Sequence, residues 1–579
     1  MSLEHRPIEL TDAASAPCTL VEALEWRASR TPDRIHVQLA DRDGRVRDIP
    51  FRALRREAIA VAAGLRRRGV RPGDTVAIML PTGYEFFGAF YGALYAGAIP
   101  VPLYPPARAT HLESHLKRLT GILANADARV LLTFGRARLL APLLRMRGAH
   151  LCTVATVEEI ADRQASLAPP DLDPEDTAFL QYTSGSTGQP KGVVLTHANL
   201  LANLNAMQEA TGVTASDCFV SWLPLYHDMG LIGAAFGSLV FGFRLVVISP
   251  LDFLARPERW LRAIQQQRAT ITAAPNFAYE LCANKVDEHA MLRVDLSSLR
   301  LAFNGAEPVS VRTLDHFTHR FELCGFRREA LMPVYGLAEC ALGLAFPPPG
   351  RGPRVDRVNR EAFLREGVAR RAAEHDSAPL CVVSCGHALP GHAIRIADGD
   401  GRTLPERRQG RIEFRGPSAT RGYFRNPEAT ARLYDGDWLD TGDLGYLADG
   451  ELYVTGRAKD IIIRCGHKIH PQELEECIAR LPGVRKGGVA IFPATDPEHE
   501  TERVVALVEL QERRLGLRND LTALRNELTS QINHRALELI GMPVDEVVFV
   551  APRTVLKTSS GKIRRTACRE AYERGEFRS

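Results

Sequence analysis

Eleven residues at 182–192, YTSGSTGQPKG, hold three glycines, four Ser/Thr hydroxyls and one lysine. Glycines let consecutive backbone N–H groups turn toward one point as an anion nest, the hydroxyls add donors, and Lys191 adds a mobile positive charge. The stretch reads as a polyphosphate cradle made by Thr183, Ser184, Gly185, Ser186, Thr187, Gly188 and Lys191. It is not a Walker loop, because no GKS or GKT follows the glycines and the loop leads into strand-like text, VVLTH, instead of opening a helix. Protein-kinase HRD and DFG elements are absent as well. Near the other end, Lys562 follows Thr-Ser-Ser-Gly, a loop able to carry one cation into a cleft. Only 8 of the 73 basic residues are lysine and 65 are arginine, which makes the lysines at 191, 459 and 562 stand out. An ammonium and a guanidinium are not interchangeable where geometry is tight.

The elements that must position these residues follow from periodicity. From 22 to 133, amphipathic helical segments such as 51–68 alternate with short apolar strands such as 75–80 and 130–133. A second alternation runs from 178 to 303, with strands expected at 178–183, 244–248 and 270–273. This pattern argues for layered α/β sheets, largely parallel. From 412 to 454 the text breaks into short strands punctuated by Gly, Asp and Pro, which predicts a small β-rich subdomain. After Arg457 a small α+β unit is expected, with strands at 487–492, 504–510 and 546–550 and a polar helix over 518–536. The expected architecture is therefore α/β: a large domain at 1–457 and a small C-terminal domain at 458–579. One excursion, about 347–377, begins PPPGRGP and carries Leu364, Val368 and Ala372 four apart, a thin apolar stripe if helical.

Further stretches turn this pattern into a resemblance. In order they are Tyr226-His-Asp228, Asn304-Gly-Ala-Glu-Pro308, Tyr335-Gly-Leu-Ala-Glu339, Thr441-Gly-Asp443, Gly456-Arg-Ala-Lys459 and Lys557-Thr-Ser-Ser-Gly-Lys562. With the loop at 182–192 the chain resembles the adenylate-forming superfamily of acyl-CoA synthetases, peptide-synthetase adenylation domains and luciferases over nearly its whole length. The resemblance implies that a carboxylate attacks the α-phosphorus of ATP and expels pyrophosphate, a step that needs alignment and charge neutralisation more than an enzymic nucleophile. It implies Thr187 and Glu339 as ligands of Mg²⁺, Asp443 and Arg457 on the ribose and phosphate side, and Asn304, Gly305, Ala306 and Glu307 along the adenine. Tyr335 and Gly336 lie beside that ring, and His227 sits at the junction of acyl and thiol channels. Lys562 would bridge carboxylate and α-phosphate oxygens, with Lys459 as hinge. A packed structural histidine and a linker lysine are the plain alternatives for His227 and Lys459.

Within the superfamily, 101–106 (VPLYPP), 221–232 (SWLPLYHDMGLI) and the insertion resemble fatty acyl-AMP ligases. That implies a fatty acid substrate, an insertion that restrains the small domain, and a phosphopantetheinylated acyl carrier protein as acceptor. The Arg-rich insertion and the text RCGHKIHP at 464–471 leave CoA open as acceptor. Apolar stretches at 229–243 and 273–279 suggest an acyl pocket with Phe277 and Tyr279 as walls, although core packing explains the same residues.

Composition is that of a multi-domain globular protein: 579 residues, 45% hydrophobic, 25% charged. A net charge of +4 is too small for this length to point to nucleic acid or an anionic membrane surface as the main partner. The N-terminal residues show no secretory pattern, and eleven scattered cysteines without a CxxC pair suit a reducing, cytoplasmic setting. The uncharged stretch 86–103 holds three glycines and two prolines and is expected to be a buried helix followed by a strand, with no stable membrane insertion. A non-catalytic lipid-binding scaffold on the same fold is the rival reading.

Overall fold

In a computed structural model, which describes residues 17–40, 45–106, 112–148, 151–183, 190–291, 293–464, 467–496, 501–511, 521–557 and 562–577, neighbouring parallel strands decide where chemistry can occur. The largest sheet has the order Leu331–Pro333, Leu301–Asn304, Ile271–Ala274, Cys218–Ser221, Arg244–Ile248, Ile35–Ala40, Val46–Pro50. Every pair is parallel except the last. Its central strands are buried along their whole length, as parallel strands covered on both faces must be. The first four strands end side by side, and the residues that follow them are Val334–Glu339, Gly305–Glu307, Pro275–Phe277 and Trp222–Asp228. A crevice outside the carboxyl ends of such strands is where open α/β sheets bind ligands.

A second parallel sheet runs Ile99–Pro102, Thr75–Met79, Val130–Thr133, Thr153–Ala155. The helix expected over 51–68 is Phe51–Arg67, and its buried face, Phe51, Leu54, Ala58, Val61 and Leu65, keeps the three-to-four spacing of an amphipathic helix. It packs on the helix Tyr84–Tyr95, buried from Phe86 onward, which leads to the strand Ile99–Pro102 as expected. Gly92 makes this approach possible: a Cβ there would lie 2.5 Å from the Val61 side chain. No described helix is long and apolar enough to cross a membrane.

The β-rich region is an antiparallel sheet of Ala393–Ala397, Gly410–Arg415, Tyr434–Asp435, Trp438–Ala448 and Glu451–Arg457. Beyond Arg457 the chain builds separate apolar clusters from its own residues, around Ile462, Ile491, Val508 and Ile532 and around Phe492, Leu507 and Tyr572. Strands Val484–Asp496, Thr501–Leu510 and Glu546–Val550 form the sheet there, and the polar helix runs Leu521–Ile540.

The excursion differs from expectation in one respect. Its helix spans only Arg360–Glu366, capped by the Asn359 side chain and closed by Gly367 at φ 66°. Val368 and Ala372 therefore lie beyond the helix and no continuous stripe forms; Val368 bridges to Arg408 and Arg371 to Val358. The strand Val355–Val358 ties the excursion to Leu380–Val383.

Candidate active site

The four strand ends, the β-rich hairpin and the C-terminal segment enclose one cavity of about 2430 Å³. Lys562 lines it, and so do Thr183, Lys191, His227, Phe277, Ala306, Glu307, Tyr335, Gly336, Glu339, Asp443, Arg457 and Lys459. Side chains named from positions up to 380 residues apart thus meet in one space. Thr183 and Lys191 are paired partners at the end of the hairpin Thr177–Thr183 and Lys191–Thr196. Ser184, Gly185, Ser186, Thr187 and Gly188 lie outside the described residues.

Asp443 is fixed by two neighbours. The Tyr335 hydroxyl donates to its Oδ2 at 2.7 Å, and Arg457 Nε stands 3.5 Å from its Oδ1. Asp443 and Arg457 are directly opposed on the strands Trp438–Ala448 and Glu451–Arg457, so the register of one hairpin sets the pair. Burial pushes the Asp443 carboxyl above its ordinary range, while Arg457, Tyr335 and Lys562 pull the other way. Burial likewise holds the Lys562 ammonium below the ordinary lysine range, with Arg457 acting in the same direction against Asp228, Glu307 and Asp443.

Glu339 accepts a hydrogen bond at 2.8 Å from Tyr423, and Lys191 Nζ lies 4.6 Å from the centre of that same ring. Burial raises the Glu339 carboxyl, and Lys191 opposes the rise. Tyr423 thereby touches both the Glu339 carboxylate and the Lys191 ammonium. It is a site residue that the sequence reading passed over: it stands in RGYF at 421–424, whose residue types carry no chemical signal of their own. His227 Nδ1 lies 2.6 Å from Asp228 Oδ1. Burial alone would raise Asp228, but His227 and then Lys562 bring it below the usual carboxylate range. Asp228 belongs to a recognised motif, yet its approach to the His227 ring is seen only in the fold.

Two expected residues sit behind the wall instead of in it. Asn304 is fully buried, and its amide reaches Asn276 at 3.4 Å. Gly305 backs onto Val334, where a Cβ would fall 2.9 Å from the carbonyl oxygen. Tyr279 is buried among Trp260 and Phe317 and donates to the Phe303 carbonyl at 2.8 Å, which makes it a core residue and not a pocket wall. Phe277 does line the cavity. Lys459 faces the cavity too, its ammonium lowered to about 8 by burial and by Arg457.

Glu307 accepts from the Phe277 N–H at 2.5 Å, but burial dominates and raises its carboxyl to about 6. A raised carboxylate pKa means that ionisation costs folding free energy: nothing below the unfolded value, growing through the folded value, full above it. Glu307→Gln is therefore expected to stabilise the protein by about 2 kcal/mol at neutral pH. The gain should vanish below roughly pH 4.5, which thermal melts across pH will check.

An apolar branch of the cavity runs from Trp222 past Gly233 and Gly237 to Phe241, Phe243 and Val213. The chain over Met229–Phe236 winds as a wide π-helical stretch, a distortion common at functional sites. It lays Gly233 along the branch, and Gly237 opens the helix Gly237–Phe241 that follows; a Cβ would meet Leu342 at 3.0 Å and Phe243 at 3.2 Å respectively.

Residues 24–424 match the family described as AMP-binding enzyme. The chain belongs to the AMP-binding enzyme family. A Caulobacter vibrioides protein carrying the provisional name acyl-CoA synthetase is 35% identical to this AMP-binding enzyme over 566 residues, covering 96% of each chain. JamA of Moorena producens, a medium-chain fatty acid:[acyl-carrier-protein] ligase, is 34% identical over 96% of this chain and 95% of its own. A solved structure from work on the fatty acyl-adenylate ligases of E. coli and L. pneumophila superposes with a TM-score of 0.88 at 33% identity, covering 97% of this chain and 99% of the other. The fatty acyl-AMP ligase resemblance read from the motifs thus holds for this AMP-binding enzyme across the large and small domains alike.

The segment about 347–377 makes a bidentate contact between the large region and the C-terminal unit. Arg360 holds Glu473 in a two-pronged pair, Nη1 to Oε2 at 2.6 Å and Nη2 to Oε1 at 2.7 Å, and reaches the Leu539 carbonyl at 3.3 Å. Its other hydrogen bonds go to the Ala378 and Pro379 carbonyls at 3.0 and 3.2 Å. Phe363 packs on His470 with ring centres 5.8 Å apart.

Proposed function

We propose that this enzyme joins a fatty acid to ATP, forming an acyl-adenylate and releasing pyrophosphate, and then passes the acyl group to the phosphopantetheine thiol of an acyl carrier protein. The observation that carries the reading is Lys562 lining the same cavity as Asp443, Glu307 and the apolar branch. In the first step a carboxylate oxygen bonds to the α-phosphorus while the bond to the β-phosphate oxygen breaks, and pyrophosphate departs with the electron pair. Crowded negative charge is the obstacle, and Lys562 would neutralise it between the carboxylate and the α-phosphate oxygens. Asp443 would accept the ribose hydroxyls with Arg457 beside it, and Tyr335, Gly336 and Ala306 would flank the adenine. Residues 458–579 would act as the mobile unit, pivoting at Lys459.

The Glu339 carboxylate, buried and bonded to a hydroxyl instead of a cation, has the hard oxygen donors that suit Mg²⁺. The ion would draw charge from phosphate oxygens when bound; Thr187, the other expected ligand, lies outside the described residues. In the second step the thiol sulfur would bond to the acyl carbonyl carbon as the carbon–oxygen bond to AMP breaks and AMP departs with the electron pair; Asp228 beside Nδ1 of His227 would leave Nε2 as the nitrogen available to the thiol proton.

Mass spectrometry of products from a panel of fatty acids with ATP and Mg²⁺, alone, with CoA and with a phosphopantetheinylated carrier protein, tests the reading. Acyl-AMP transferred to the carrier protein with little acyl-CoA is the expected result; ready acyl-CoA formation would make CoA the acceptor, and no adenylate from any acid would sink the proposal. Gly237→Leu should shorten the preferred chain, lowering kcat/KM for the longest accepted acid roughly tenfold or more relative to shorter ones. The same panel measures this.

A further inference from the structure

Residues 135–147 take no part in the cavity. They form a 3-10 turn, Gly135–Leu140, that runs directly into the helix Ala141–Met146. Ala137, Ala141 and Leu144, spaced i, i+4, i+7, are buried against the second parallel sheet's core. Two positions further on the same spacing recurs at Leu139, Leu143 and Met146, on the opposite face. There the side chains are 79%, 42% and 83% exposed. Scattered exposed apolar residues are ordinary, but three on one stripe of a short helix mark an interaction surface.

Four arginines, Arg136, Arg138, Arg145 and Arg147, rim the stripe, and 135–148 holds no acidic residue. The whole-chain net charge of +4 is matched by this one segment, since the remaining residues carry equal numbers of basic and acidic side chains. The small net charge of the whole chain averages over local arginine-rich patches, and this is the one whose arginines flank an exposed apolar stripe among the described residues. Arg138 pairs with Glu159, and Arg147 reaches Glu113 at 3.4 Å; both pairs are exposed and weak. Arg145 Nε donates to the Leu151 carbonyl at 3.2 Å, and Arg136 has no ion pair or side-chain hydrogen bond among the described residues.

We propose that this face docks the protein reversibly on an anionic lipid surface. Leu139, Leu143 and Met146 enter the boundary between headgroups and acyl chains, and the arginines lie at the lipid phosphates with their stems along the apolar layer. A lipid surface fits better than an acidic protein because the apolar trio projects outward as a wedge of flexible aliphatic side chains. It offers neither a groove nor the aromatic anchors that dominate protein interfaces. The inference is independent of which acid the enzyme activates.

Sedimentation of the full-length protein with vesicles tests it, comparing equal parts phosphatidylcholine and phosphatidylglycerol with phosphatidylcholine alone. Binding to the anionic vesicles is expected, weak binding to the neutral ones, and release as ionic strength rises past physiological values. Leu139→Ser, Leu143→Ser and Met146→Ser together should abolish binding. Arg136→Gln with Arg145→Gln should lower the partition coefficient about fivefold per charge removed. Both variants should keep the parent melting temperature and make acyl-adenylate from a water-soluble acid as the parent does. The proposal is overturned if the parent stays in the supernatant with anionic vesicles, or if the triple variant sediments with them as the parent does. It is equally overturned if the triple variant binds vesicles normally and loses only transfer to a carrier protein, which would make the face a protein-docking surface.

Discussion

Lys562→Ala is expected to lower acyl-adenylate formation by roughly 10²–10³-fold, the usual cost of removing one preorganised charge from a reacting centre. ATP affinity should change little, because Asp443, Arg457 and Tyr335 form their contacts without the lysine. Lys562→Arg should recover little of the loss: a planar guanidinium does not occupy the space of a compact ammonium at a position this buried. The ammonium is the active form and sits below the ordinary lysine range, so the parent's rate should fall on the alkaline side earlier than an unperturbed lysine would dictate. Single-turnover adenylate yield followed by mass spectrometry, with ATP binding measured separately, decides the matter. An unchanged yield removes Lys562 from the reaction.

The second large effect concerns the acceptor. Arg360→Ala is expected to raise acyl-CoA formation roughly tenfold while adenylation continues at the parent rate. The pair is bidentate, but Glu473 is 39% exposed, and solvent screening keeps its worth to the order of 1–2 kcal/mol. The pair exists with Lys562 in the cavity, so any pose that withdraws the C-terminal unit must break it. Deleting 347–377 should have the same consequence in larger measure, but it also removes the strand Val355–Val358 that pairs with Leu380–Val383, which makes the point variant the cleaner instrument. A double-mutant cycle with Glu473→Ala isolates the pair itself. Acyl-CoA no higher than in the parent, from a variant that adenylates normally, would leave the restraining role without support.

Much of this arrangement was legible in the sequence wherever a residue type met a local constraint. The strands at 130–133, 244–248 and 546–550 were readable to the residue because apolar β-branched runs bounded by turn residues are strongly local signals. The cavity lining was readable for Lys191, Asp443 and Lys562 from glycine-rich loops and a short acceptor after a Thr-Gly turn, and for Glu339 only from its place in the motif at 335–339. What escaped were pairings between distant positions. Arg360 is one of 65 arginines, and nothing near it names Glu473, 113 residues away. Tyr279 and Phe277 look alike on paper, yet a helix that begins at Asn276 turns one to the cavity and the other to the core. The stripe 364–368–372 failed because Gly367 ends the helix in the left-handed region.

The hairpin that opposes Asp443 to Arg457 ends two residues before Lys459. In the proposed function the grip on the nucleotide and the fulcrum of the C-terminal unit would therefore be adjoining, Arg457 closing the strand and Lys459 standing in the 3-10 turn Ala458–Asp460 that follows it. Beyond that point the chain folds around its own cores before returning Lys562 to the cavity. In the proposed function it would act as a lever arm, a modest change in backbone torsion at the fulcrum becoming a large displacement at the lysine. Anything that stiffens or loosens the last rung of the hairpin would then be felt at the far tip of the arm, and nucleotide occupancy and lysine delivery would become a single mechanical variable.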